Sequence, residues 1–179
     1  MIRLILVLGL APLAAWAECP PAPDHSEEIA GLLAEIQSAE REIEAQRLSN
    51  ALWALWADAP DAAAQELLDA GMRARESYDF LRAEESFDRL VAYCPDYAEG
   101  YNQRAFVAFL RGDFAAALPD LERALALNPR HVAALSGKAL TLMGLGRDAE
   151  AQEALRAALA LNPWLSERHL LTEPPGQEL

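Results

Sequence analysis

The sequence predicts an all-α protein in which helical hairpins stack into a solenoid. Three prolines stand 34 residues apart, at Pro95, Pro129 and Pro163, and the segments before them align without gaps. A fixed period of this length is typical of repeat proteins, whose units bury their apolar faces against their neighbours. Hydrophobic residues make up 53% of the chain, which is enough to form such a core.

Residues 1–17 predict a secretory signal peptide. Arg3 precedes an uncharged apolar run over residues 4–15, and Ala15-Trp16-Ala17 has the small-x-small pattern of a cleavage site. The run is shorter than the ~20 apolar residues that span a bilayer. We therefore expect cleavage before Glu18 and a periplasmic or secreted protein, with an uncleaved anchor or a misassigned start as alternatives.

Export would place the two cysteines, Cys19 and Cys94, in an oxidising compartment. A bridge between them would stabilise the fold by ~4 kcal/mol in the chain-entropy model. Cys19 lies on an extended arm that a long helix would carry away from Cys94. An intramolecular disulfide, a buried Cys94 and a bond from Cys19 to another chain all remain open.

Residues 18–60 predict a proline-rich arm followed by an amphipathic helical extension. Three prolines between residues 18 and 24 favour an extended arm. From residue 26 to 57 the pattern is helical, with a break expected at Ser49-Asn50. Ile29, Ile36 and Ile43 stand seven apart, a heptad rhythm. The segment either packs on the repeats or forms a coiled coil between copies.

Two tryptophans close this extension, Trp53 and Trp56. Residues three apart lie on one face of a helix, and paired aromatic side chains at this spacing are usually packing anchors. We expect both side chains to dock on the first repeat, which follows them directly in the chain.

Residues 61–172 predict three repeated helix pairs, in units 64–97, 98–131 and 132–165. Small residues recur at two positions of each unit, and a large residue recurs at a third. The first small position holds Gly71, Ala105 and Ala139, the second holds Ala83, Ala117 and Ala151, and the large one holds Phe87, Leu121 and Leu155. Small residues let the two helices of a unit approach closely, and each proline ends a second helix.

These units resemble the tetratricopeptide repeat family, and the resemblance covers 102 of 179 residues. Tyr78 departs from the family pattern, because it stands where Gly112 and Gly146 occupy the turn between helices. A left-handed turn there would cost a tyrosine ~1 kcal/mol. Arg104 and Lys138 stand where the family usually has leucine, and we interpret them as tolerated local strain.

In this family, the first helices line a concave groove that holds peptide segments or helices. By position, the resemblance assigns to that groove Leu68, Met72, Arg75, Asn102, Phe106, Phe109, Leu110, Leu140 and Met143. Some members clamp a terminal carboxylate with Lys, Arg and Asn, and of that set only Asn102 has a counterpart. The resemblance therefore argues against chaperone tails as ligands. The groove is either open or filled by the segment 29–56.

Charge and residue content exclude several function classes. A net charge of -13 argues against nucleic acid and against anionic membrane surfaces. The 3 histidines have no metal-ligand spacing, and no nucleophile or phosphate-binding motif occurs. We expect no enzyme and no cofactor or metal.

The expected function is an exported adaptor or assembly factor that binds a protein or peptide. The alternative is a structural oligomer in cell-envelope assembly, which self-associates through the 26–57 helix or through an uncapped last repeat. Residues 173–179, with two adjacent prolines and a glycine, predict a disordered tail.

Overall fold

The computed structural model describes residues 18–172. The predicted signal segment 1–17 and the predicted tail 173–179 lie outside the described residues. Within the described range the chain forms eight α-helices and one 3-10 helix, without any strand. The helices are α1 (Ser26–Ser38), α2 (Glu42–Trp56), α3 (Ala62–Glu76), α4 (Phe80–Tyr93), α5 (Ala98–Leu110), α6 (Phe114–Leu127), α7 (Val132–Gly144) and α8 (Asp148–Leu161), followed by the 3-10 helix Ser166–Leu170.

Three helix pairs follow the 34-residue spacing: α3 with α4, α5 with α6, and α7 with α8. Each pair packs tightly, and α4 contacts α5 as α6 contacts α7, so the pairs stack in chain order. The first helices also meet in series, because α5 touches both α3 and α7. The predicted all-α solenoid is confirmed.

The small and large positions of each unit interlock. A methyl group built on Gly71 would overlap the ring of Phe87, which is fully buried. In the other two pairs alanine takes the small position and leucine the large one, and each combination shares a buried cluster. The first pair therefore reaches the same close packing with a smaller and a larger residue.

The turns inside the three pairs are left-handed. Tyr78 has φ 62°, and the glycines at the equivalent turns, Gly112 and Gly146, have φ 75° and 70°. Only glycine adopts this region without steric cost. Tyr78 is exposed and meets Phe80 edge-on, with ring centroids 6.1 Å apart, so the turn and not core packing requires its conformation.

Arg104 and Lys138 form ion pairs between helices, so the interpretation as strain is wrong. Arg104 donates to both carboxylate oxygens of Asp120 at 2.7 Å and to Asp88 at 2.8 Å, which ties α4, α5 and α6 together. Lys138 lies 3.5 Å from Glu122, the residue of α6 that corresponds to Asp88. These carboxylates raise the pKa of Arg104, chiefly because Asp120 accepts two hydrogen bonds from it.

Helices α1 and α2 fold back on each other, and we call residues 26–56 the N-terminal hairpin. The predicted break at Ser49-Asn50 is wrong, because both residues lie inside α2. The chain instead reverses at Ala39, which is extended with ψ 137°. Residues 39–41 contain no proline or glycine. The reversal buries the apolar sides of both helices in one cluster, formed by Leu33, Ile36, Leu48 and Leu52.

The hairpin removes the predicted heptad seam. Ile36 is fully buried in α1, whereas Ile43 is 73% exposed at the start of α2. The three isoleucines therefore do not line one continuous helix, and the coiled-coil interpretation is wrong.

The N-terminal hairpin docks on the third helix pair. Its cluster continues into Val132, Leu161 and Trp164. Gln37 donates from Nε2 to the carbonyl of Ala160 at 3.0 Å. The ring of Trp56 stacks on His131, just before α7, with centroids 4.2 Å apart. The expectation that Trp53 and Trp56 dock on the first repeat is wrong, because apolar surface at the far end of the solenoid attracts the hairpin.

The end of the last pair is covered from two sides. The N-terminal hairpin packs on Trp164 and Leu165. The 3-10 helix places Leu170 against the α7–α8 cluster, and Gln152 donates to the Leu170 carbonyl at 3.0 Å. The predicted uncapped end is therefore wrong, because the N-terminal hairpin and the 3-10 helix cover the apolar surface of the last pair.

Cys19 and Cys94 form a disulfide, with Cα atoms 5.1 Å apart. The bond attaches the start of the arm to the end of α4, at the first helix pair. Since the hairpin that follows reaches the third pair, the N-terminal segment spans the length of the solenoid. None of the helices in residues 18–172 is long and apolar enough to cross a membrane.

Candidate functional site

An open cleft of about 280 Å³ lies across the first helices of the three pairs. Side chains of α3, α5 and α7 line it, and Trp53 of the N-terminal hairpin forms one wall. We call it the central cleft. Its lining residues are Trp53, Arg75, Asn102, Gln103, Ala105, Phe106, Phe109, Leu121, Ala133, Gly137 and Thr141.

Aromatic side chains give the central cleft apolar walls. Trp53 is 38% exposed and Phe106 is 42% exposed, which is unusual for side chains of this size. Phe109 also lines the cleft and is partly buried. Gly137 has no side chain to fill the cleft, and a methyl group there would lie 3.1 Å from Leu121. The cleft thus offers flat apolar surface that a partner could remove from water.

A buried carboxylate lies beneath the central cleft. Glu99 is 1% exposed, and three side chains donate to it. Asn102 donates to Oε2 at 3.1 Å, Gln103 donates to Oε1 at 2.5 Å, and His131 lies 2.8 Å from Oε2. A buried charge is tolerated only when it is hydrogen-bonded in this way.

The bonds around His131 assign its tautomer. Its Nδ1 accepts from the backbone N–H of Ala134 at 3.3 Å, which makes His131 the N-cap of α7. Nε2 therefore carries the proton and donates to Glu99. Because Trp56 stacks on the same ring, the buried network also positions the end of the N-terminal hairpin.

Arg75 brings a positive charge to the central cleft. It is half-buried, donates from Nη1 to Gln103 Oε1, and lies over the ring of Phe106 at 5.0 Å from the centroid. Burial lowers its pKa, whereas the nearby charges of Glu76 and Glu99 raise it. An arginine remains charged through such a shift, so the cleft holds a permanent cation.

Thr141 lies at the opposite end of the central cleft, on α7. The residue is fully buried, and its hydroxyl oxygen has no hydrogen-bond partner among the described residues. Buried hydroxyl groups are almost always bonded, so an unpaired one beside a cleft indicates a missing partner.

A second cavity, of about 350 Å³, lies between the arm and the turns that precede α5 and α7. Four carboxylates line it, from Asp24, Asp58, Asp96 and Glu99, and Asp58 pairs with His25 at 2.7 Å. The described residues contain no group of three or more His, Cys, Asp and Glu side chains arranged to hold a metal ion. This cavity combines the carboxylates with apolar side chains of Ile29, Leu55 and Leu127.

Four of the nine residues assigned to the groove line the central cleft: Arg75, Asn102, Phe106 and Phe109. The placement of Leu68 in the groove is wrong, because it is fully buried in the core of the first pair. Asn102 is also buried, and it serves Glu99 rather than an open surface. The remaining four do not line the cleft; they are Met72, Leu110, Leu140 and Met143.

Sequence reasoning missed Trp53, Gln103 and Thr141 as lining residues. The spacing of Trp53 from Trp56 predicts two packing anchors, but only Trp56 is buried, and Trp53 lines the cleft. Gln103 follows Asn102 directly, and only the burial of Glu99 gives both amides one partner. Thr141 lies between apolar residues in α7 and has no distinguishing pattern.

Comparisons with known proteins agree with this fold. A tetratricopeptide repeat family model matches residues 108–167. "Tetratricopeptide repeat protein 36" of Mus musculus is 46% identical over 52 residues, which cover 29% of this chain and 28% of that protein. The match thus spans less than a third of that relative.

Solved structures match a larger part of the chain. The TPR2B domain of yeast Sti1, solved as a pHsp70 complex, has a TM-score of 0.57 at 25% identity, covering 62% of this chain and 91% of that one. The second TPR domain of human RPAP3, solved with an HSP70 peptide, has a TM-score of 0.58 at 21% identity, covering 60% and 90%. Residues 108–167 thus match the tetratricopeptide repeat model, and the described helix pairs stack as in these solved tetratricopeptide repeat domains.

Proposed function

We propose that this protein is a non-catalytic interaction module that binds a segment of another protein in the central cleft. The observation that carries the proposal is the pair of exposed aromatic side chains, Trp53 and Phe106, that line the cleft. Aromatic residues dominate the energetics of protein interfaces when a partner covers them. The domains of Sti1 and RPAP3 with the same fold are solved with Hsp70 ligands, which supports a peptide-binding use of the fold.

The size of the central cleft favours an extended segment over a helix. A helix with its side chains is about 10 Å across. The N-terminal hairpin narrows the space over α5 and α7, and about 280 Å³ remains. An extended chain presents alternate side chains to one surface, so one or two of them can fill a volume of this size.

Export remains part of the proposal. Its support is the signal-like segment 1–17, together with the disulfide between Cys19 and Cys94, a bond that persists in oxidising compartments. The role is then that of an adaptor or assembly factor outside the cytoplasm. Sequencing the N-terminus of the protein isolated from its own host tests the signal peptide: a start at Glu18 supports export with cleavage, and an intact Met1 contradicts cleavage.

Affinity capture from a periplasmic extract tests the binding role. The bait proteins are the wild type, Trp53→Ala with Phe106→Ala, and the matched control Leu81→Ala. Leu81 is 73% exposed on α4, outside the cleft lining. Asn102 is unsuitable as a probe, because its loss would leave the buried Glu99 with one donor fewer.

We expect a protein that the wild type and Leu81→Ala retain and that the double variant loses. Far-UV circular dichroism must show the same helix content for all three baits. Equal retention by wild type and double variant would contradict a role for the cleft.

A further inference from the structure

Arg75 is the one half-buried arginine in residues 18–172 without a carboxylate within 4.0 Å. Arg104, which is buried to a similar degree, pairs with two aspartates. All the other described arginines that lack an ion pair are exposed on the surface. Charges that leave water are normally paired, so the guanidinium of Arg75 lacks the partner that its position calls for.

The buried carboxylate nearby does not fill this role. Glu99 reaches Arg75 only through the amide of Gln103, and its two oxygens already accept from Asn102, Gln103 and His131. Arg75 has five N–H donors, and the described residues accept from one of its nitrogens. The remaining donors are available to an anion in the central cleft.

At the other end of the central cleft, Thr141 lacks a hydrogen-bond partner within residues 18–172, and an uncharged polar group of a ligand could provide one. Thr141 is fully buried and its hydroxyl is unpaired. Between Thr141 and Arg75 the lining is apolar, with Trp53 and Phe106 exposed. The cleft thus presents, in order, a cation, an apolar surface and a neutral hydrogen-bonding group.

We propose that the central cleft binds an extended peptide segment with an acidic side chain at position i and a large apolar side chain at i+2. The carboxylate pairs with Arg75, the apolar side chain lies between Trp53 and Phe106, and the Thr141 hydroxyl bonds to the peptide backbone. The spacing follows from the alternation of side chains along an extended chain. This inference rests on the proposed function and specifies the ligand.

Two alternatives fit the lining less well. Aromatic walls of Trp and Phe could hold a cation, but Arg75 would repel it. A polyacidic segment would be repelled by the net charge of -13, and the cleft offers a single cation. A segment with one acidic residue and no other charge can pair with Arg75 and is repelled less by the net negative charge of the protein.

Capped pentapeptides test the inference. The probe is acetyl-Ala-Glu-Ala-Phe-Ala-amide, and its controls replace Glu by Gln or Phe by Ala. A further control, acetyl-Ala-Ala-Ala-Phe with a free C-terminus, offers a terminal carboxylate instead. Affinities for the full-length wild type come from chemical-shift titration by NMR. We expect the probe to bind about tenfold more tightly than either capped control.

Protein variants locate the effect. Arg75→Gln should abolish the preference for Glu over Gln, while Arg73→Gln should retain it. Arg73 is exposed on the same helix, so this control removes an equal charge outside the central cleft. Both variants should keep the wild-type melting temperature within a few degrees, because neither position belongs to the core.

Four results would overturn the inference. Equal binding of the Glu and Gln peptides would show that Arg75 does not recognise a side-chain carboxylate. Tighter binding of the peptide with the free C-terminus would show that the cleft recognises a terminal carboxylate instead. Loss of the preference in Arg73→Gln would make the effect one of overall charge. Absence of binding by all the peptides would also refute the proposed ligand. The proposed function is tested separately, by whether Trp53→Ala with Phe106→Ala loses the captured partner.

Discussion

Replacing Gly71 by alanine should destabilise the protein, although the same change at Gly31 should stabilise it. Both glycines lie inside helices, where alanine is favoured by about 1 kcal/mol. A methyl group at Gly31 meets nothing within 4 Å. At Gly71 it would overlap the ring of Phe87, which is fully buried and has no room to move.

The magnitude follows from these two terms. Overpacking a dense core typically costs about 1–3 kcal/mol. Subtracting the helix gain of about 1 kcal/mol leaves Gly71→Ala destabilised by up to about 2 kcal/mol. Gly31→Ala should gain close to the full helix term.

The other two helix pairs supply a rescue. Their equivalent positions hold alanine with leucine, Ala105 with Leu121 and Ala139 with Leu155. Gly71→Ala combined with Phe87→Leu should therefore recover most of the lost stability, because it recreates a combination that the fold already accepts.

Urea unfolding followed by circular dichroism measures all four proteins. The reasoning is refuted if Gly71→Ala is as stable as Gly31→Ala. It is also refuted if the double variant is no more stable than Gly71→Ala alone.

Three further predictions concern charges and the disulfide. Arg104→Ala should lower the free energy of unfolding by about 2 kcal/mol and Lys138→Ala by less than about 1 kcal/mol, because Arg104 makes three hydrogen bonds to carboxylates and Lys138 one longer contact; equal losses in urea would contradict this. Cys19→Ser with Cys94→Ser should cost up to about 4 kcal/mol, since 75 positions separate the bonded residues, and reduced wild type should match the variant in the same assay. A tyrosine hydroxyl and a helix N–H lower the pKa of Asp61, so the stability it adds is present above about pH 4 and lost as the pH falls through its folded pKa. The difference in melting temperature between wild type and Asp61→Asn should therefore shrink below pH 4, and a constant difference would argue against it.

The repeated part of the fold could be predicted because its information is local and periodic. Prolines at a fixed spacing mark the ends of the second helices, and the small and large positions recur in phase. The left-handed turn at Tyr78 could also be predicted, because two glycines stand at the same position of the other units. A repeat thus provides its own internal comparison.

The N-terminal hairpin could not be placed from sequence. Its reversal at residues 39–41 carries no proline or glycine, and burial of Ile36 with Leu52 decides it instead. Its docking site lies more than 70 residues away along the chain, at Val132 and Trp164. No local pattern encodes such a contact, and the error carried over to Trp53 and Trp56.

The residues of the central cleft could be predicted only in part, because the position of the N-terminal hairpin could not be predicted. Family positions identified Arg75 and Phe106, which line the central cleft. They did not distinguish Leu68 or Asn102, which the fold buries. Trp53 lines the cleft together with residues of the first helices, and the position of Trp53 depends on where the N-terminal hairpin docks.

Site-directed photo-crosslinking tests the central claim most directly. A benzophenone amino acid would replace Phe106 in the central cleft or, as a control, Leu81, which is 73% exposed outside it. After capture and irradiation, we predict a covalent adduct with the partner at position 106 and none at position 81. An adduct at position 81 alone would contradict the account, because it would place the partner on a surface without the cleft.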